Sequence, residues 1–219
     1  MKTIDLTRLR KLSAPLLSDV MDSLGLVQQA MKPFVRPLDE DDVLIGYART
    51  GLYMPKYLAT PGENPYEIEI ALVDDLKPGE VPVLACGGPT DRIAPWGELL
   101  STASQARGAA GCITDGLVRD VKQIRAMQFP VFHGGLGPLD TKVRARMMER
   151  DTPVECGGVR VRSRDIVFGD ADGVVVIPSE RAEEVIAAAL EKAKGEDTTR
   201  DELRQGKLLA EVFARHGIL

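Results

Sequence analysis

One stretch, residues 96–120, constrains this chain more than any other: WGELLSTASQARGAAGCITDGLVRD. A helix starts near Trp96, a short apolar strand follows at 110–113, and an Asp115-Gly116 turn then delivers Arg119 and Asp120 side by side. Helical and strand-like segments alternate in this way along most of the chain, which is the signature of an α/β protein. At 219 residues there is enough interior for one large domain without covalent staples. The expectation is a single domain over 1–219, with a charged C-terminal helical arm from about residue 195.

The chemistry of the stretch follows from its helix start. Pro95 suits the first helical position, which makes Ala94 the cap, and alanine has no side-chain oxygen for the first amides. The amides of Gly97, Glu98, Leu99 and Leu100 would then be open to an anion, helped by the helix dipole. Glycine at 97 lets a ligand come close to the backbone. Water, or capping by Thr90 or Asp91 from upstream, would satisfy the same amides without any ligand. Arg119 and Asp120 should lie where a strand ends and a helix begins, the usual ligand side of a sheet that is parallel there. Alternatively, Asp120 is a first-turn acid on a helix dipole and Arg119 its surface partner.

The flanking segments read as scaffold. Leu16, Leu17, Val20, Met21 and Leu24 recur at helical spacing, with Ser13 as cap, Pro15 in the first turn and Gly25 at the stop. Asn64-Pro65 announces a second helix, with Ile68, Ala71, Leu72 and Leu76 as its stripe, and strands are expected near 43–50 and 81–86. Gly157-Gly158 tips a hairpin, and the turn GDADG joins strands at 166–168 and 174–177. That turn lacks the later ligands of a calcium loop. HGGLGPLD lacks the spacing of a nucleotide fingerprint. A long helix with Ala182, Val185, Ile186 and Ala189 on one face is expected to break at Gly195. Thr199 and Glu202 would open another as a capping box.

Composition excludes several classes. A net charge of −5 with few aromatics and no Lys/Arg stripe disfavours nucleic acid. Cys86, Cys112 and Cys156 are scattered in apolar runs and read as reduced thiols. No apolar run approaches a membrane span and the N-terminus lacks a signal-peptide core, so a cytoplasmic protein is expected.

W-G-E-L-L, I-T-D-G-x-V-R-D, F-P-V-F and D-I-V-x-G-D-A-D-G-V-V-V-I-P together resemble the RraA-like family. That family includes the class II, metal-dependent 4-hydroxy-4-methyl-2-oxoglutarate / 4-carboxy-4-hydroxy-2-oxoadipate aldolases. The resemblance implies a swivelling β/β/α domain, assembled as a homotrimer or dimer of trimers with interfacial active sites. It implies that Asp120 ligates Mg²⁺ or Mn²⁺, that Arg119 contacts a keto acid, and that the amides of Glu98, Leu99 and Leu100 hold its carboxylate. The activity implied is lysis of a pyruvoyl compound: retro-aldol cleavage of a 4-hydroxy-2-oxo acid, or oxaloacetate decarboxylation. Metal-bound water, and no side chain, would move the proton.

The family's aldolases tend to carry an acid three places after the aspartate, where this chain has Gln123. A further acid from a neighbouring subunit is implied, with Glu196 the candidate. Some relatives instead inhibit ribonuclease E as non-catalytic regulators, which is the alternative function. Others are labelled methyltransferases, but no glycine-rich methyl-donor motif occurs here.

The substrate beyond C4 would be read by the loops at 51–64 and 133–140.

Overall fold

In-and-out alternation along the strands shapes this protein into three layers. A computed structural model describes residues 4–58 and 62–218. After a 3-10 turn at Leu6–Lys11, the chain forms α1 (Ala14–Ser23), β1 (Arg36–Pro37), β2 (Leu44–Pro55), α2 (Glu67–Asp74) and β3 (Glu80–Ala85). The middle of the chain forms α3 (Glu98–Ala106), β4 (Cys112–Thr114), β5 (Leu117–Val118), α4 (Val121–Met127), β6 (Val131–His133), β7 (Gly135–Leu136) and β8 (Ala145–Arg150). It ends with β9 (Val154–Cys156), β10 (Val159–Val161), β11 (Ile166–Asp170), β12 (Gly173–Ile177), α5 (Ala182–Arg204) and α6 (Leu209–His216).

The main sheet runs β1-β6-β4-β3-β2-β11-β12, with β8 pairing the far half of β2. Strands β2, β3, β4 and β6 are mutually parallel, while β1, β8, β11 and β12 are antiparallel to their neighbours. The sheet curls until its first and last strands nearly meet. The segment entering β1 pairs with β12, Met31 N–H donating to Val174 O at 2.8 Å and Val176 N–H to Gln29 O at 2.8 Å. Arg36 Nη1 donates to Asp172 O at 2.9 Å across the seam.

Successive residues serve different layers because a strand's side chains alternate in direction. Val81, Val83, Ile113, Phe132, Val167, Val174 and Val176 point into the curled sheet. Ile166, Phe168, Val175 and Ile177 point outward under α1 and α5. Leu84, Cys112 and Val131 point to the opposite outer layer, where α2, α3 and α4 lie. Truncating fully buried Phe132 to alanine would cost about 3–5 kcal/mol.

The expected caps and turns are partly as the sequence suggests. Ser13 Oγ accepts from Leu16 N–H at 3.4 Å, with Pro15 in the first turn of α1. Both hairpins form, pairing Cys156 with Val159 and Asp170 with Gly173. Asn64 makes a turn around Tyr66, its Oδ1 accepting Tyr66 N–H at 3.1 Å, and α2 begins after that turn. Gly195 does not break the last long helix, since α5 is continuous from Ala182 to Arg204. A Cβ at 195 would come 2.4 Å from Ile218 Cδ1, so glycine is there to admit the tail that folds back behind α6. The capping box is absent for the same reason: Thr199 is buried within α5 with its hydroxyl unpartnered. No helix among the described residues is long and apolar enough to cross a membrane.

Candidate active site

A short piece of parallel pairing assembles the site from two segments distant in sequence. Leu117 N–H donates to Ile93 O and Arg119 N–H to Trp96 O, each at 3.0 Å, and Trp96 bridges Val118 in parallel. Trp96 is thereby extended, so α3 starts three residues later than expected, with Gly97 as its cap and no capping side chain of its own. Ala94 is not the cap. Buried Trp96 stacks on Phe129 and donates from Nε1 to Ser101 Oγ at 2.8 Å, which ties the first turn of α3 to the core. The Glu98 side chain folds along its own helix to accept from Thr102 at 2.8 Å.

Asp120 caps α4 by position, in the left-handed region at φ 59°, a conformation aspartate tolerates better than most residues. Its carboxylate turns away from α4. Oδ2 accepts Glu98 N–H at 3.2 Å, so Asp120 serves the start of α3 instead. The amide of Glu98 is therefore engaged, while those of Leu99 and Leu100 find no acceptor among the described residues. Glycine at 97 is required by this approach. A Cβ there would lie 2.6 Å from Asp120 Oδ2 and 3.1 Å from Arg119 Cγ.

Arg119 reaches into the same space. Its Nε is 3.8 Å from Asp120 Oδ2 and an Nη is 3.8 Å from Asp140 Oδ1. Both separations are ion-pair contacts too long for hydrogen bonds, so among the described residues the planar fork's donors are left free for a ligand. A cavity of about 310 Å³ opens here, lined by Trp96, Gly97, Leu99, Leu100, Arg119 and Asp120 together with Tyr66, Glu69, Ile70, Asp140 and Thr141. It lies beyond the carboxyl ends of the parallel strands β3 and β4, where an open sheet is expected to take its ligand.

Three of the lining residues were not anticipated. Tyr66 donates to Asp140 Oδ2 at 2.6 Å. Burial works to raise the Asp140 carboxyl, but the Tyr66 hydrogen bond and the Arg119 charge outweigh it and leave it below the ordinary range. Burial, helped by Asp140, lifts the Tyr66 phenol to about 12. Glu69 is only 8% exposed, and burial pushes its carboxyl up to about 7 against the Tyr53 hydrogen bond. A signal for Glu69 was present: Glu69, Leu72, Val73 and Leu76 are all buried, at the spacing of one helix face. Asp140 ends the 133–140 loop expected to contact substrate, while Tyr66 lies just beyond the other such loop, 51–64, of which residues 59–61 lie outside the described residues.

The remaining sequence candidates lie elsewhere. Gln123 is exposed on α4 and does not line the cavity. Glu196 sits on α5, within ion-pair distance of Lys192 and Arg200, in the opposite outer layer. Buried Asp115, in the expected Asp-Gly turn, accepts backbone N–H groups of Cys86 at 2.6 Å, Gly88 at 2.9 Å and Gly157 at 3.3 Å. It is a loop anchor beneath the site.

A curled mixed sheet with one helical layer over the cavity and another behind defines an α/β protein of the swivelling β/β/α type. The Aldolase/RraA family model, RraA-like, matches residues 14–176, and the chain belongs to that family. It is 30% identical over 205 residues to a Halalkalibacterium halodurans protein provisionally named 4-hydroxy-4-methyl-2-oxoglutarate aldolase, covering 94% of this chain and 90% of that one. Two solved structures share the fold. An uncharacterized protein from Pseudomonas syringae pv. tomato superposes with a TM-score of 0.84 at 24% identity, over 97% of this chain and 99% of that one. Streptomyces coelicolor RraAS2, described as an unusual member of the RNase ES inhibitor RraA family, superposes with a TM-score of 0.80 at 24% identity, over 91% and 98%.

Proposed function

We propose that this protein is a divalent-metal-dependent lyase acting on pyruvoyl-containing keto acids. Its reaction is retro-aldol cleavage of a 4-hydroxy-2-oxo acid to release pyruvate, decarboxylation of oxaloacetate, or both. The observation that carries this is the pairing of unspent donors, the amides of Leu99 and Leu100 and the fork of Arg119, around one cavity beside Asp120. Donors in that number suit a small substrate that is anionic at one end and gains charge on an adjacent oxygen.

The metal is supported by the chemistry of its donors. Among the described residues no three His, Cys, Asp or Glu side chains gather as a ligand cluster. Asp120 has one oxygen outside its bond to Glu98, which fits a hard cation held by a single carboxylate, substrate and waters. Asp120 would hold it, and Mg²⁺ or Mn²⁺ would supply Lewis acidity at the 2-oxo group. The chain's own part is to orient and stabilise. The Leu99 and Leu100 amides grip the carboxylate, Arg119 meets the growing enolate charge, and Pro95, Ile70 and Trp96 keep the walls dry. Both reactions pass through the enolate of pyruvate, so one arrangement serves both.

A homotrimer or dimer of trimers with the cavity at a subunit boundary belongs to this proposal. Leu99, 77% exposed, and Ile70, 44% exposed, give the mouth an apolar rim suited to a neighbouring subunit. Glu196 of such a neighbour would be the second acid. A coupled pyruvate-release assay on a panel of 4-hydroxy-2-oxo acids and oxaloacetate, with and without Mg²⁺ or Mn²⁺, tests the proposal. No release from any of them, with saturable binding to ribonuclease E, would favour the non-catalytic regulator instead.

A further inference from the structure

Glu69 has no part in the proposal above, yet it lines the same cavity as Arg119 and Asp120. It occupies the core-facing stripe of α2, in register with Leu72 and Val73, where an apolar residue would cost nothing to bury. Its surroundings hold it in one pose. Tyr53, fully buried on β2, donates its hydroxyl to Glu69 Oε2 at 2.5 Å. No protein donor among the described residues reaches Oε1, which leaves that oxygen for whatever enters the cavity. A carboxyl with one oxygen tied and the other free in a mostly apolar pocket is the arrangement of a proton donor.

We propose that Glu69 is the group that exchanges a proton with C3 of the pyruvate enolate in this cavity. This rests on the lyase function proposed above, and it departs from the expectation that water alone moves the proton. In retro-aldol cleavage the C3–C4 bond breaks and its electron pair enters the enolate. The C4 hydroxyl loses its proton as C4 becomes a carbonyl, and the Glu69 carboxyl gives its own proton to C3, making the methyl group of pyruvate. The proton released from C4 restores Glu69, so none is gained or lost overall. With oxaloacetate, C4 leaves as carbon dioxide and solvent reprotonates Glu69.

The division of labour among the acids is consistent with this role. Burial holds Glu69 near 7, where a group can both give and take a proton, while Asp140 is held ionised by Tyr66 and Arg119. The charged and titratable groups around Glu69 are Tyr53 from β2, Arg119 and Asp140 across the cavity, and Tyr66 before its own helix; on β8, which packs against α2, Arg146 is spent on Glu63 and Glu67.

The test uses the reverse half-reaction, which needs no knowledge of the substrate beyond C4. In D₂O with Mg²⁺ or Mn²⁺, the full-length protein should exchange the methyl protons of pyruvate for deuterium, read by proton NMR. Ionised Glu69 takes the proton, so the rate should rise with pH to a plateau above about 7. Glu69→Gln keeps the size and the Tyr53 hydrogen bond and should lower exchange by about a hundredfold or more, with partial recovery in Glu69→Asp. Tyr53→Phe, in which Glu69 remains, should move the midpoint of the pH profile upward, because the lost hydrogen bond favours the ionised form. Exchange in Glu69→Gln within threefold of wild type would overturn the assignment and leave the lyase function standing. A wild-type protein that neither cleaves keto acids nor exchanges pyruvate would overturn both.

Discussion

Replacing Gly97 by alanine should separate activity from stability in a single step. The backbone at 97 is extended, at φ −157°, a conformation alanine adopts freely, so the whole effect is steric. The new Cβ would lie 2.6 Å from Asp120 Oδ2, against the 3.4 Å at which ordinary contact begins, so the carboxylate must retreat by about 0.8 Å. It already stands 3.2 Å from Glu98 N, and that retreat breaks the bond. A charge-assisted hydrogen bond is worth about 1.5–3 kcal/mol, and misplacing a reacting group by about 1 Å costs on the order of a hundredfold. The displacement predicts a fall of about a hundredfold in kcat/KM for pyruvate release. Stability should fall by only about 1–2 kcal/mol, the lost hydrogen bond being partly offset by the about 0.4–1 kcal/mol that restricting the unfolded chain returns. Pyruvate release and thermal unfolding, measured on the same preparation, check this. Activity within threefold of wild type would refute the inference that the position of Asp120 matters to the chemistry.

Three further outcomes are expected. Asp120→Ala, purified in chelator and assayed with added Mg²⁺, should lose about a thousandfold or more in turnover, the several kcal/mol that Lewis acidity supplies. For Glu69, the folded value of about 7 stands above the 4.5 of a free carboxyl, so its neutral form stabilises the fold. That contribution is complete below pH 4.5 and is lost as pH rises through 7, at most about 3 kcal/mol at 1.36 kcal/mol per unit. Urea unfolding of wild type and Glu69→Gln across this window should show wild type losing stability relative to the variant as pH rises. Asp115→Asn should destabilise by about 3 kcal/mol, because an amide nitrogen would face one or more of the backbone N–H groups that the carboxylate now accepts. Thermal unfolding should move down by roughly 6–12 °C.

Features carried by neighbouring residues were legible in the chain. Ser13 and Pro15 start α1, Gly157-Gly158 turns its hairpin, and the GDADG turn joins β11 to β12, each from spacing alone. Features that depend on a distant partner were not. The start of α3 moves from Ala94 to Gly97 because Trp96 pairs with Val118, a contact no local pattern encodes. Gly195 reads as a helix stop until Ile218 is seen to need its space. Of the four amides expected to be open, Asp120 takes that of Glu98, joining two features that the sequence suggested separately. Glu69 was hidden for another reason: a carboxylate on an apolar stripe is passed over when a stripe is sought from apolar residues.

The pairing of Trp96 with Val118 also divides the cavity mechanically. On one side, the start of α3 and the Arg119-Asp120 pair are joined by backbone hydrogen bonds, so they move as a unit and keep their spacing whether or not a substrate is present. Asp140 belongs to the same unit, since Leu139 O just before it accepts Ala94 N–H at 2.7 Å, whereas Tyr66 on the facing wall reaches Asp140 only through its side chain. Widening the entrance therefore draws on Tyr66 and the start of α2, and the groups that grip the keto acid need not let go of one another to admit it.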